Sequence, residues 1–225
     1  MVYTSPQKMR DIRQSENYSN YLSSQGWIVE RINSINYFIK KIPILGSVLK
    51  IQRPKKIDSN SINHLISKYK PFQIIIEPSN EADVIWLNTN GYRLNKSPFL
   101  PSKTIHLDLI QDKKTIYANF NKDARYAIRK GSATKIKQCS TPEEIKKFNE
   151  AWKKSVNFNR YVPNLQSLLN LKKAFPNNHS IFLASHNIVG SIIGGAIFTT
   201  SSHGVSNYIT YRKAASSAYH FFHIS

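Results

Sequence analysis

The segment Phe120–Gly131, FNKDARYAIRKG, brings Lys122, Arg125, Arg129 and Lys130 close together and offers only Asp123 as a local acid. At the α-helical repeat, Lys122, Arg125, Tyr126 and Arg129 fall on one side, with Ile116, Phe120, Ala124, Ala127 and Ile128 opposite. Two readings fit that row of cations. Guanidinium groups grip phosphate oxygens through paired N–H donors, so the face can hold a phosphorylated ligand. A solvated face whose cations suit the C-terminal end of the helix dipole fits equally well. A second basic cluster, Lys50, Arg53, Lys55 and Lys56 in KIQRPKKID, lies between an extended segment and a capped helix. Element ends of this kind commonly mount binding groups, although paired lysines before a helix also serve solvation.

Other chemistries find less support. No Ser-His-Asp set is visible. The single cysteine, Cys139, excludes an intramolecular disulfide framework and fits a reducing compartment. His220 and His223 share a helical face but have no third ligand in view, and a zinc site needs at least three. Gly190, Gly194 and Gly195 lack the Gly-Lys-Ser/Thr of a nucleotide-binding loop and read as turn or bulge residues.

The whole composition agrees with an anionic partner. Lys and Arg total 32 against 13 Asp and Glu, a formal charge of +19 over 225 residues. Such a field favours nucleic acid, an anionic membrane face or phosphorylated substrates, although a bias towards Lys, Asn, Ile and Ser contributes to it. The N-terminal stretch has no apolar signal region and no apolar run is long enough to span a bilayer, so a cytoplasmic protein is expected.

These residues must be positioned by the elements around them. Ser15 and Gly26 bracket a helix over 16–25, and Trp27–Lys41 reads as a hairpin around Asn33-Ser34. An extended Ser47–Gln52 precedes a helix capped by Asp58 or Ser59 and ended by Pro71. FQIIIEP reads as a buried strand, and the helix after it closes at Gly91. Ile105, Leu107 and Leu109 alternate as a strand, and one helix is expected from Asp112 through Lys130. Thr141, Pro142 and Glu144 form a capping box. Leu165–Phe175 is a further helix, followed by a three-strand meander and a last helix from Arg212. Segregated antiparallel strands and helices of this kind, rather than an alternating doubly wound pattern, define an α+β class.

The ordered segments resemble the FemAB/FemABX family of peptidoglycan bridge-forming aminoacyltransferases. QSENYSNYL is similar to the family's opening Gln-Ser and helix. IQRPKKID is similar to its Pro-Arg-Gly-Pro segment, with Gln52 in place of the first proline and no glycine. FQIIIEP matches a strand ending in an acid and proline, Glu77-Pro78. PSKTIHLDL matches through Pro101, Thr104, Asp108 and Leu109. FNKDARYAIRKG, FNEAWKKSVNFNRY and IFLASHNIVGSIIGGAIF follow in the family's order.

The resemblance implies tandem GNAT-like (acyl-CoA N-acyltransferase-like) domains over 1–110 and 111–225, the second incomplete at its C-terminus. It implies transfer of an amino acid from aminoacyl-tRNA, a co-substrate, to the stem-peptide amine of a lipid-linked or UDP-linked muropeptide. No other cofactor, no metal and no covalent enzyme intermediate are expected, and peripheral contact with the inner membrane face is. Carried over residue by residue, phosphate binding falls to Arg125 and Arg129, with Lys122 and Arg53 beside them. Glu77 stands where the family has an acid near the acceptor. Two other functions remain open: a GNAT-type acyltransferase using acyl-CoA, and a noncatalytic RNA- or membrane-surface-binding protein. YRKAASSAY lacks the glycine-rich turn that would cradle a CoA pyrophosphate.

Overall fold

The computed structural model describes residues 11–95, 109–156, 161–201 and 204–212. The chain sorts into two compact units. One comprises Met1–Leu100 with Asn170–Asn177 and Thr200–Val205, and the other comprises Pro101–Leu169, Asn178–Thr199 and Ser206–Ser225.

In the first unit the Ser15 hydroxyl accepts the Tyr18 N–H and starts α1 (Glu16–Ser24). Gly26, at φ 74°, turns the chain into β1 (Ile28–Ile32). Asn33 and Ser34 both adopt left-handed φ, 50° and 62°, the geometry of a two-residue hairpin turn, and they fix the register of β2 (Ile35–Ile42). β3 (Gly46–Gln52) returns antiparallel. The Asp58 carboxylate accepts the Ser61 N–H to start α2 (Ser59–Tyr69). Lys70 (φ 46°) closes that helix, and β4 (Pro71–Glu77) then pairs parallel with β3. Asn80 caps α3 (Glu81–Thr89). The sheet order is β1-β2-β3-β4.

Alternation along β2 and β3 divides the residues between two covered faces. Tyr37, Ile39, Leu49 and Ile51 pack in one core with Ile57, Ile62 and Leu65 around α2 and with Leu87 of α3. On the other face Phe38 is fully buried, with Tyr18 of α1 set edge-on at 5.8 Å. β4 departs from the fully buried strand its sequence suggests. Ile74, Ile75 and Ile76 are half-buried and Phe72 is exposed, because β4 is the edge of the sheet and lacks a neighbour on one side.

In the second unit the single helix expected over 112–130 is two, α4 (Lys113–Asn119) and α5 (Lys122–Lys130). Phe120 is extended (ψ 148°), and the Asn121 side chain accepts the Ala124 N–H, so an N-cap interrupts the run. β5 (Lys135–Gln138), which sequence reasoning missed, follows. The Thr141–Glu144 capping box is present and opens α6 (Pro142–Ser155), whose Ile145, Phe148, Asn149 and Trp152 are buried at helical spacing. Phe148 meets Trp152 and Phe182 edge-on at 6.4 and 5.8 Å. After α7 (Leu165–Ala174) come β6 (Ser180–His186), β7 (Ile192–Ser201) and β8 (Gly204–Arg212). The expected meander is therefore four-stranded, in the order β5-β6-β7-β8. Gly190 (φ 82°) sits in the β6–β7 turn, while Gly194 and Gly195 lie in β7 beside a register shift at Ser185/His186.

The expected strand around Ile105 lies outside the described residues, except that Leu109 and Ile110 form a turn. The expected last helix, with His220 and His223, also lies outside them from residue 213 onward. No helix among the described residues is long and apolar enough to cross a membrane. The architecture is α+β as expected, but the first sheet is mixed where antiparallel strands are expected, because α2 carries the chain back across it and β4 pairs parallel with β3.

Candidate functional site

The parallel pairing of β3 and β4 places the carboxyl ends of both strands together, and a set of polar residues gathers there. Gln52 pairs with Glu77 in the register. Beyond Gln52 the chain turns through Arg53, a non-glycine residue at φ 46° immediately before Pro54. Both its left-handed conformation and the following proline disfavour that geometry, so surrounding contacts must hold it. They are visible: the Arg53 N–H donates to the Glu77 carbonyl at 2.7 Å, and the Ser79 hydroxyl donates to the Pro54 carbonyl at 2.6 Å.

Gln52 is buried, and its Nε2 donates to Glu77 Oε2 at 3.2 Å. The other carboxylate oxygen, Glu77 Oε1, is buried with no hydrogen-bond partner among the described residues. Leaving such an acceptor unsatisfied costs about 1–3 kcal/mol, more when it is charged. Lys50, two residues earlier on the same face of β3, has its ammonium pKa pushed down by burial, while the charge of Glu77 opposes the shift and that of Arg13 reinforces it. The Tyr18 hydroxyl is pushed up to about 12, chiefly by burial, with Arg13 opposing and Tyr21, Asp11 and Glu77 adding. Lys50 and Tyr18 thus both lie within the fields of Arg13 and Glu77.

A strap over Ile12–Gln14 delivers Arg13 to this neighbourhood. Asn36, fully buried on β2, holds the strap down. Its Nδ2 donates to the carbonyls of Arg13 (2.9 Å) and Ser15 (3.0 Å), and its Oδ1 accepts from Arg31 at 2.5 Å. Its backbone N–H donates to Gln14 Oε1 at 2.9 Å, and Gln14 Nε2 donates to the Gln52 carbonyl at 2.5 Å. The Arg13 guanidinium holds both Asp11 oxygens, at 3.1 and 3.2 Å, and Arg53 reaches Asp11 Oδ2 at 3.4 Å. Chemically, this end of the sheet offers a carboxylate oxygen that can accept from an N–H or O–H, beside cations that can stabilise an anion.

The structure therefore brings together two of the sequence-predicted residues, Arg53 and Glu77. The other three, Lys122, Arg125 and Arg129, belong to α5 in the second unit. Ala124, Ala127 and Ile128 are half-buried while Lys122, Tyr126 and Arg129 are exposed, which matches the helical wheel. Arg125 is half-buried, and its guanidinium donates to the Ala118 carbonyl at 2.9 Å. Arg129 donates to the Tyr117 hydroxyl at 3.1 Å, and that hydroxyl donates to the Arg125 carbonyl at 3.3 Å. α4 thus braces the two arginines while leaving further N–H donors on each. Tyr18, Arg13 and Asn36 escaped sequence reasoning, and Lys50 and Gln52 were read only as members of KIQRPKKID. Only the β3–β4 register and the strap gather them, and neither leaves a short-range signal.

Among the described residues no group of three or more His, Cys, Asp or Glu could hold a metal ion. Comparison with known proteins returns no matching family model and no matching curated protein. Among solved structures the chain is similar to the structure of L-PGS from Bacillus licheniformis, with a TM-score of 0.50 and 14% sequence identity. The match covers 87% of this chain and 62% of that one, so the chain spans under two thirds of the neighbour's length. At this identity the likeness bears on the fold alone, an α+β arrangement of helices and four-stranded sheets.

Proposed function

We propose that this chain transfers an aminoacyl group from aminoacyl-tRNA to the stem-peptide amine of a peptidoglycan precursor, and that Glu77 meets the acceptor amine. The observation that carries this reading is the unpartnered buried carboxylate oxygen of Glu77 at the joined ends of β3 and β4, with Lys50 in its field. Likeness to L-PGS, a lysyl-phosphatidylglycerol synthase domain, supports aminoacyl transfer as the reaction class. The ordered FemAB-like segments support the muropeptide as acceptor. On this reading the two units are tandem GNAT-like halves, the protein works on the cytoplasmic side, and aminoacyl-tRNA is a co-substrate with no further cofactor.

The aminoacyl ester is already activated, so the protein has three tasks: hold both substrates, accept a proton and stabilise developing charge. The acceptor nitrogen attacks the ester carbonyl and the C–O bond to the tRNA ribose breaks. The proton leaving nitrogen passes by way of Glu77 to the departing ribose oxygen. Phosphates on either substrate are met by the cations of α5 and by Arg53, and the +19 charge makes that binding salt-dependent.

Incubation with tRNA charged with labelled amino acids, and separately with labelled acyl-CoA, tests the reading. Label should pass from tRNA to a muropeptide. Transfer to phosphatidylglycerol would replace the acceptor, and transfer from acyl-CoA with tRNA ignored would replace the donor. Arg125→Ala combined with Arg129→Ala is expected to weaken UDP-muropeptide binding about tenfold by calorimetry. The same pair should cost no more than about 1 kcal/mol of stability, because the lost contacts are exposed hydrogen bonds. Unchanged binding with a large stability loss would make α5 a solvated face instead.

A further inference from the structure

The two hairpin turns of the first sheet are built from opposite kinds of residue. At one end, Asn33 and Ser34 take the left-handed φ values that polar residues tolerate. At the other, the β2–β3 turn over Pro43–Leu45 places Ile44 at φ 70°, a conformation that a β-branched residue rarely adopts. No packing compensates it. Ile44 is fully exposed at 105%, and Leu45 beside it is 65% exposed. Phe72 of the edge strand, 54% exposed, joins them: its ring lies 3.7 Å from where a Cβ on Gly46 would stand.

Cations flank these apolar groups. Lys41 and Pro71 both register with Ser47, so Lys41 and Lys70 flank the tip, one on each side of β3. Both are exposed, and neither has an ion-pair partner among the described residues. Neither the 38–57 stretch nor the 59–76 stretch contains an acid. An apolar tip at a strained turn, flanked by two lysines and built from stretches that contain no acid, is complementary to one surface above others. Acyl chains accept the tip and anionic headgroups accept the ammonium groups, whose long stems reach past apolar neighbours.

We propose that the Ile44-Leu45 turn, with Phe72, Lys41 and Lys70, inserts into the interface of an anionic phospholipid bilayer. This docking does not depend on what the protein transfers. It would orient the first unit with the Gln52–Glu77 end held roughly 20 Å from the surface, the length of a β-strand of this size.

The test uses the full chain with unilamellar vesicles of phosphatidylcholine, with and without phosphatidylglycerol. Leu45→Cys carries a polarity-sensitive fluorophore, and Ser34→Cys at the other end of the sheet serves as control; Cys139 is buried. A blue shift at position 45 alone, dependent on phosphatidylglycerol and reduced by salt, is expected. Ile44→Gly combined with Leu45→Ser should lower vesicle partitioning at least tenfold. It should leave the melting temperature unchanged or raised, because glycine relieves the turn. Lys41→Glu and Lys70→Glu should each lower partitioning roughly fivefold or more. Equal shifts at both positions, or partitioning unaffected by the turn variant, would overturn the proposal. So would a lipid-independent shift at position 45 that grows with protein concentration, since the turn would then bind a second copy.

Discussion

Glu77→Gln is expected to lower aminoacyl transfer by about 10²- to 10⁴-fold, the range associated with removing a general base. The substitution is nearly isosteric, and an amide oxygen can still accept from Gln52 Nε2, so the local hydrogen bond survives. What disappears is the charge and the proton affinity of the oxygen that has no partner. The amide keeps the shape of the side chain and its contact with Gln52, so thermal stability should stay within about 1 kcal/mol of the parent. Single-turnover transfer from charged tRNA separates this from a binding defect: the chemical step should slow while affinity for the muropeptide changes little. Activity within a factor of three of the parent, in a folded variant, would remove Glu77 from the reaction.

Asn36→Ala should carry the largest stability loss of any polar substitution in the first unit, about 3 kcal/mol. The side chain is fully buried and ties two strap carbonyls and the Arg31 guanidinium to β2. Alanine leaves those groups unsatisfied and opens a small cavity as well. In denaturant the midpoint should fall with an unchanged slope, because the same surface is exposed on unfolding. The strap also carries Arg13 to Asp11 and sets the field felt by Lys50 and Tyr18, so substrate affinity should decline with it. A loss below 1 kcal/mol would mean that water replaces the amide and that the strap is held elsewhere.

Much of the fold was legible because local chemistry announces itself. Ser15, Asp58 and Thr141 cap helices by side-chain hydrogen bonds to N–H groups a few residues on, so spacing alone locates them. Asn33-Ser34 marks a turn for a similarly local reason. The failures have local causes too. Asn121 breaks a run whose apolar spacing continues on both sides, so the wheel suggested one helix where the cap dictates two. β5 is a four-residue KIKQ, exposed at every position, that owes its conformation to pairing with β6.

Among the candidate residues, Glu77 and Arg53 of the first unit were reachable through resemblance, and Arg125, Arg129 and Lys122 of the second through the wheel. The orphaned oxygen of Glu77, the left-handed Arg53 and the buried Gln14–Asn36–Gln52 chain were not. They arise from pairings between residues 22 to 38 positions apart, which no local pattern encodes.

The parallel step between β3 and β4 has a bearing on how the molecule comes into being. The β1–β2–β3 meander needs only tight reversals, so its contacts are cheap in chain entropy and available early. Gln52 meets Glu77 only after α2 has formed and swung the chain back across the sheet. The Gln52–Glu77 contact is thus expected to form late in this unit, after its hairpins.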